Sequence, residues 1–512
     1  MDFLNLARYL GIVCLIIGAS MLLSIPWAHP ALGAAVHFEW AAVVALASSA
    51  AVAAAVGAGL CHAGRRASGR LLRKETMAVV GLSWILATLF GALPYLFSGT
   101  RRSAAEPMSL ADAIFESASG FTGTGATVLT DVEDPKLVPR AILFWRSETH
   151  FLGGLGIMVL FVAILGLGSA GKALMRTEMP GPSKETGVTR TQHAAWTFSA
   201  IYLGLNALLA SLLMAQGMNA FDALCHAFGT VATGGFSTCN DSVGHFHDLG
   251  IEMTIAVFMV VACTNFALLY MLLRWKPLAM LADVEFRTYL GVLAAATGLV
   301  VVFGMRHADF SSWAEAFRYG FFQVASILTN TGFTTHDFDN WNEIGRGTLF
   351  LLMFVGGCAG STSCSLKVIR HILFVKILWR ELERVYRPSV VRPLRVGGKP
   401  VEERDIVHSV LVYFGLILMI AVLAWFALNV LEPDSAWSDL GSSRHEKLVD
   451  IASGVGATIN GVGPGLGTIG AVENYAHFQP ASKLVFVLLM LLGRLELFVI
   501  LVLFTPRFWR SR

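Results

Sequence analysis

Apolar residues gather into ten runs along this chain, at 6–25, 40–61, 76–98, 141–168, 193–216, 250–273, 287–305, 347–381, 403–430 and 481–504. A helix needs about 20 apolar residues to cross a bilayer, so the pattern predicts ten spans. Four shorter amphipathic runs, 109–121, 219–231, 314–328 and 444–458, are too short to cross. Each leads into an uncharged, Gly-rich stretch: Thr122-Gly123-Thr124-Gly125-Ala126-Thr127, Ala232-Thr233-Gly234-Gly235-Phe236-Ser237, Asn330-Thr331-Gly332-Phe333-Thr334-Thr335, and Asn460-Gly461-Val462-Gly463-Pro464-Gly465. Glycine is a poor helix former, and irregular backbone at membrane depth is tolerated only inside protein or beside a watery cavity. The short runs therefore read as re-entrant helices that dip in and turn back at the Gly loops.

Repetition on this scale decides the fold class. The key glycines fall at 125, 234, 332 and 463, each between two long apolar runs. The expected architecture is an all-α polytopic membrane protein, with four pseudo-symmetric helix–pore loop–helix repeats around one pore. The boundaries follow from the runs: an N-terminal transmembrane hairpin over 1–75, then repeats over 76–192, 193–286, 287–402 and 403–512. Re-entrant helices aim their partially negative C-terminal ends at the pore centre, which favours a cation. The loops hold no Asp, Glu, Lys or Arg. Selectivity would therefore come from backbone carbonyls replacing an ion's hydration shell, rather than from a charged ring.

Composition agrees with a bilayer. The chain is 55% hydrophobic and 14% charged, where a soluble domain carries about a quarter charged residues. A net charge of +3 is too small to imply nucleic acid. Basic residues collect on one side: Arg65, Arg66, Arg70, Arg73 and Lys74; Lys172, Arg176, Lys184 and Arg190; Arg274, Lys276 and Arg287; ten within 367–404; and Arg507, Arg510 and Arg512. The loops 26–39 and 217–249 have none, with Arg101 and Arg102 an exception on that side. The positive-inside bias puts both termini in the cytoplasm. The first run, Leu10 to Ile25, lacks a basic region beyond Arg8 and reads as a retained span rather than a signal peptide. Cys14, Cys61, Cys225, Cys239, Cys263, Cys358 and Cys364 are scattered without a CxxC pair, which argues against a disulfide framework and a zinc site.

Several residues carry two readings. The long run 347–381 has a helix-breaking polar middle, Gly356 to Ser365, which reads equally as a kinked helix with hydroxyls bonded back to backbone or as an unwound intramembrane obstruction. Arg494 lies deep in the last run beside Glu496, where a charge is costly and faces a cavity or a partner such as Glu148. Lys367 either faces the pore or snorkels to the cytoplasmic surface. Glu148 and His150 suggest a proton relay or, better, surface pairing or a hydrogen bond supporting the filter. The outer-loop acids Asp131, Glu133, Asp134, Asp241, Asp248, Asp337 and Asp339 would modestly concentrate cations. A GxxxxGK[ST] nucleotide loop and an HExxH zinc motif do not occur, and no GxGxxG is placed between a strand and a helix, so an enzyme is unsupported.

Glu116-Ser117-Ala118-Ser119-Gly120 with Thr124-Gly125-Ala126-Thr127, then Gly153-Gly154-Leu155-Gly156-Ile157, strongly resembles the first repeat of the Trk/Ktr/HKT family of potassium transporters. The resemblance continues through Gly356-Gly357-Cys358-Ala359-Gly360-Ser361-Thr362 into Lys367-Val368-Ile369-Arg370, and ends with Gly493-Arg494-Leu495-Glu496-Leu497 and Phe504-Thr505-Pro506. The extra N-terminal hairpin is similar to the TrkH branch rather than the shorter KtrB branch. This resemblance implies potassium uptake across a bacterial cytoplasmic (inner) membrane. The ion would be held by carbonyls of Gly123, Thr124 and Gly125; Ala232, Thr233 and Gly234; Asn330, Thr331 and Gly332; and Gly461, Val462 and Gly463. Glycine at 125, where sodium-permeable members carry serine, implies potassium preference. The resemblance makes Gly356, Gly357, Cys358, Ala359, Gly360, Ser361, Thr362 and Ser363, with the rest of 356–365, a gate beneath the filter, and makes Arg494 an electrostatic barrier. It also implies a homodimer with a pore in each protomer and a cytosolic TrkA-like regulatory subunit. A nucleotide (ATP/ADP or NAD) would bind that subunit, with no cofactor in this chain. Two departures stand out: Gly123 replaces a usual Thr, and Ser363-Cys364-Ser365 replaces a Gly-rich run. The rival expectation is a sodium- or proton-coupled secondary cation transporter, which would favour paired inverted repeats over four loops entering from one side.

Overall fold

The computed structural model describes residues 1–512 except 33–34, 36, 68–71, 166–190, 389–394, 397–398, 401–403, 440–443 and 511–512. Of the basic positions named above, Arg70, Lys172, Arg176, Lys184, Arg190, Arg392 and Arg512 lie outside the described residues, as does the end of the first predicted repeat. The described chain is almost entirely helical, its strand content being a two-residue pair, Arg395–Val396 with Lys399–Pro400.

Among the described residues, six helical stretches are long and apolar enough to cross a bilayer: Phe3–Ala28, Trp40–Ala63, Lys74–Phe97, Trp196–Ala215, Val284–His307 and His408–Leu431. The remaining predicted spans depart from a plain apolar rod, and each departure has a local cause. Arg140–Leu165 is continuous but carries Arg146, Glu148 and His150 within it. The predicted single span 250–273 is instead two helices, Leu249–Ala262 and Phe266–Leu273, bent by 106°. The run 347–381 is Glu343–Leu352, an unwound stretch, and Val368–Tyr386. The last run pauses at Leu495, between Pro480–Arg494 and Glu496–Leu503.

The four short helices are present at Leu110–Thr122, Ala220–Val231, Trp313–Leu328 and Arg444–Asn460. Their starts follow from capping chemistry. Ser109, Asn219 and Ser312 each accept the backbone N–H of an acid three residues on, Asp112, Asp222 and Glu315. Such caps satisfy orphan N–H groups, and the acid suits the positive end of the helix dipole. The first is a full capping box, since Asp112 also accepts the N–H of Ser109.

Two apolar clusters hold these helices. One joins the N-terminal hairpin to the first and last short helices through Trp84, Phe115, Trp145, Tyr475 and Phe486. The other surrounds the second and third through Tyr202, Phe266, Tyr289, Phe322 and Phe333. Polar ties cross between elements as well. Lys483 donates to Asp112 at 2.5 Å, both side chains 1% exposed, joining the last span to the first short helix. Arg318 forms a two-point pair with Glu252, joining the third short helix to the bent span.

Candidate functional site

Each short helix ends in the same cap. One or two residues beyond its end, one residue donates to the carbonyl three residues back and the next donates five back: Gly123 to Gly120 and Thr124 to Ser119; Thr233 to Thr230 and Gly234 to Gly229; Asn330 to Ile327 and Thr331 to Ser326; Gly461 to Thr458 and Val462 to Ala457. The longer bond is that of a Schellman motif, which needs a left-handed residue. Gly123, Thr233, Asn330 and Gly461 supply it, with φ of 65°, 55°, 59° and 66°. Two residues on, Gly125, Gly235, Gly332 and Gly463 are again left-handed, at 79°, 79°, 82° and 95°. The backbone thus pairs Gly235, not Gly234, with Gly125, and the second set of predicted ion-facing residues shifts from 232–234 to 233–235. A β-branched Thr at φ 55° is a costly choice; the Thr233 hydroxyl donates to the Ala232 carbonyl at 2.6 Å.

The four loops close on one another in cyclic order. A Cβ placed on Gly125 would sit 2.2 Å from the Gly234 carbonyl oxygen; one on Gly235, 2.0 Å from that of Thr331; one on Gly332, 2.1 Å from that of Val462; and one on Gly463, 2.5 Å from that of Thr124. Only glycine lets neighbouring loops approach so closely. Thr124, Thr233, Thr331 and Val462 are fully buried.

The ring is braced from behind. Glu116 accepts from the Thr127 hydroxyl, the Val128 N–H at 3.0 Å and Arg146 Nε at 2.6 Å. Arg146 also donates to the Ser237 carbonyl and lies 3.4 Å from the centre of the Phe236 ring. His150 spans the same seam. Its Nε2 accepts the Phe236 N–H at 3.1 Å, so Nδ1 carries the proton and donates to the Gly120 carbonyl at 2.7 Å. That is a neutral imidazole holding two loops together rather than a relay. Glu148 takes the Ser24 hydroxyl at 2.6 Å and so ties to the N-terminal hairpin, not to Arg494.

One side of the ring opens on a cavity of about 100 Å³, lined by Gly125, Gly235, Gly332 and Gly463 from all four loops. Beneath the other side lies the unwound stretch of the eighth run. Its first half is held by backbone bonds: Gly356 N–H donates to Leu366, Gly357 to the Ser363 hydroxyl, Cys358 to Cys263 and Ala359 to Glu285, while Gly360 accepts from Phe266. The Ser361 hydroxyl closes onto the Cys358 carbonyl, and that of Thr362 reaches the Ala262 carbonyl. The bend at 263–265 therefore has a cause: carbonyls freed at the break receive the loop. Glu285 accepts from both Ala359 and Ile369, at 2.8 and 3.0 Å, and so clamps the two ends of the stretch. Lys367 turns inward, onto the Ser363 carbonyl and hydroxyl.

Arg494 bridges loop and wall. It donates to the Thr362 carbonyl at 2.7 Å, to the Cys364 sulfur at 3.2 Å and to the Gly153 carbonyl at 3.0 Å. Cys364 in turn donates to the Thr122 carbonyl at the foot of the ring. A Cβ on Gly123 would be 3.9 Å from Arg494 Nη1.

Residues 44–511 match the family model for TrkH, described as a cation transport protein. The chain belongs to the TrkH family. Family members named "Trk system potassium uptake protein TrkH" match over the full length of both chains, at 37% identity for that of Salmonella typhimurium and 36% for that of Escherichia coli K12. A crystal structure of the potassium transporter TrkH from Vibrio parahaemolyticus superposes with a TM-score of 0.85 at 31% identity, covering all of both chains. The structure brings the four Gly-rich loops together in the ring, with the one-residue shift at the second loop, sets the 356–365 stretch beneath it and Arg494 between the two, whereas Phe504-Thr505-Pro506 lie apart, at the end of the last run. Three residues escaped sequence reasoning: Arg146, Glu285 and Lys483. Arg146 and Lys483 are charges inside apolar runs, where a partner is expected; Glu285 lies just before the run 287–305 and gave no such signal.

Proposed function

We propose that the chain is a potassium uptake protein, a transporter rather than an enzyme, with dehydrated potassium passing through the ring. The ion is coordinated by backbone carbonyls of residues 123–125, 233–235, 330–332 and 461–463. The observation that carries this reading is the cyclic closure of four identically capped, uncharged loops with glycine at each contact. Buried carbonyls at the negative ends of four helices make a site for a small bare cation. The relatives' printed name, a potassium uptake protein, points the same way. The stretch 356–365 and Arg494 form the gate: the loop occupies the exit, and the guanidinium sets a positive charge in the path. The domain plan proposed is a hairpin followed by four repeats, in an inner membrane with both termini cytoplasmic. Two protomers, each with its own pore, dock a TrkA-like cytosolic subunit on the basic face around 367–404, and that subunit carries the regulatory nucleotide.

Rubidium flux into liposomes holding the purified protein tests this reading. The expected result is flux down the rubidium gradient that resists sodium competition. Flux that appears only when a proton or sodium gradient is imposed would replace the pore with a coupled secondary transporter.

A further inference from the structure

The loops that follow the first and second ring contacts are stitched together on the cavity side. The side chain of Asn240 accepts the Val132 N–H at 2.9 Å and donates to Asp131 at 2.8 Å, while Glu133 accepts the Asn240 N–H at 2.9 Å. This register brings together a carboxylate, a thiol and an imidazole from two loops. The donor atoms of Glu133, Cys239 and His245 all lie within 4.8 Å of one another. Among the described residues no other three His, Cys, Asp or Glu side chains do so. Glu133 is 40% and His245 47% exposed, so an ion can enter from the aqueous side. A tetrahedral zinc ion with bonds of about 2.0–2.3 Å spaces its donors about 3.3–3.7 Å apart, a distance reached from here by small side-chain rotations.

The geometry points to a site for a borderline divalent transition-metal ion of the zinc class, held by Glu133, Cys239 and His245, whose occupation lowers cation flux. The donor set selects the metal: thiolate and imidazole favour zinc-class ions over magnesium or calcium, which take oxygen ligands. On binding, the thiol releases its proton to solvent and water completes the coordination. The hydrogen bonds between the loops set the spacing of the donors in the absence of metal. Sequence spacing hides such a site because its ligands come from separate repeats, so the absence of a CxxC pair says nothing about it. Cys239 also lines the cavity above the ring. A dication there stands in the approach to the carbonyls and repels an incoming cation. This second half of the proposal rests on the pore reading above.

The test has two arms, both on the full-length chain in a Cys61→Ser background, which leaves Cys239 as the one cysteine that is not buried. Cobalt(II) titration of the purified protein reads thiolate-to-metal charge-transfer absorption. A band is expected in the background protein and none in Cys239→Ser, with at least about tenfold weaker binding in His245→Ala, an exposed site whose change spares the fold. No band, or a band that survives Cys239→Ser, overturns the site. Zinc added to the cavity side should then reduce rubidium flux in the background protein but not in Cys239→Ser. Undiminished flux overturns the inhibitory half alone. A protein that carries no rubidium refutes the pore reading, while the cobalt arm still decides the metal site.

Discussion

Arg494 donates a hydrogen bond to the carbonyl of Thr362 at 2.7 Å, and through it the helix Pro480–Arg494 holds the unwound stretch of the third predicted repeat. With the pore reading, this bond is both a latch and a charge in the ion's path. Arg494→Gln should raise basal rubidium flux on the order of tenfold, a lowering of the barrier by about 1.4 kcal/mol. Arg494→Lys keeps the charge but cannot span Thr362 and Gly153 together, and should fall between. Unchanged or reduced flux in Arg494→Gln, with the protein still folded, would remove this residue from the gate.

Gly125→Ser should raise sodium relative to potassium flux, because the new Cβ collides with the Gly234 carbonyl at a left-handed position. The aligned backbone predicts the same for Gly235→Ser, against the Thr331 carbonyl. Gly234→Ser meets a different obstacle, the His150 ring at 2.5 Å, and should disturb stability before selectivity. Sodium competition and thermal unfolding on the three variants separate these outcomes. Loss of selectivity in Gly234→Ser alone would restore the register read from sequence.

Glu285 should act as a positioning residue for the unwound stretch. Glu285→Ala frees the Ala359 and Ile369 N–H groups and should produce a potassium leak, with a destabilisation of about 1–3 kcal/mol from two unsatisfied buried donors. Glu285→Gln retains an acceptor oxygen and should stay near the parent. Equal leak in both variants would mean that charge, rather than the clamp, matters.

Asp339, in the loop after the third ring contact, gives a pH signature. Burial raises its carboxyl from the ordinary 3.8 to about 6, against the lowering effect of the Gly467 N–H and of Arg346. The folded state therefore binds more protons than the unfolded one between these values, so stability falls as pH rises from about 4 to 6 and stays reduced above. Asp339→Asn keeps an acceptor for Gly467 and should remove that loss, worth at most about 3 kcal/mol. The melting temperature of the variant minus that of the parent should be near zero at pH 4 and positive at pH 7. A flat difference would contradict the raised carboxyl.

Much of this was legible because its signals are local. A Gly-rich turn after a run too short to cross forces a return. The register of the second loop was not legible, because Thr233-Gly234-Gly235 offers two adjacent glycines and the rules exclude a left-handed Thr. The structure uses that excluded residue, since the cap geometry places it there. The bend at 263–265 was hidden for another reason: Cys263, Thr264 and Asn265 are weak helix breakers, and the carbonyl of Cys263 is taken by Cys358, far along the chain. Arg146 could have been inferred as needing a partner, but its pairing with Glu116 depends on how two helices cross.

The ring's final contact joins Gly463 of the last loop to Thr124 of the first. During synthesis the first three loops are made well before the fourth, so an unfinished chain holds an open arc with exposed carbonyls and no enclosed path. With the pore reading, ion-tight closure arrives as the last step of biogenesis. A truncation before residue 460 would remove not a quarter of the conductance but the enclosure itself.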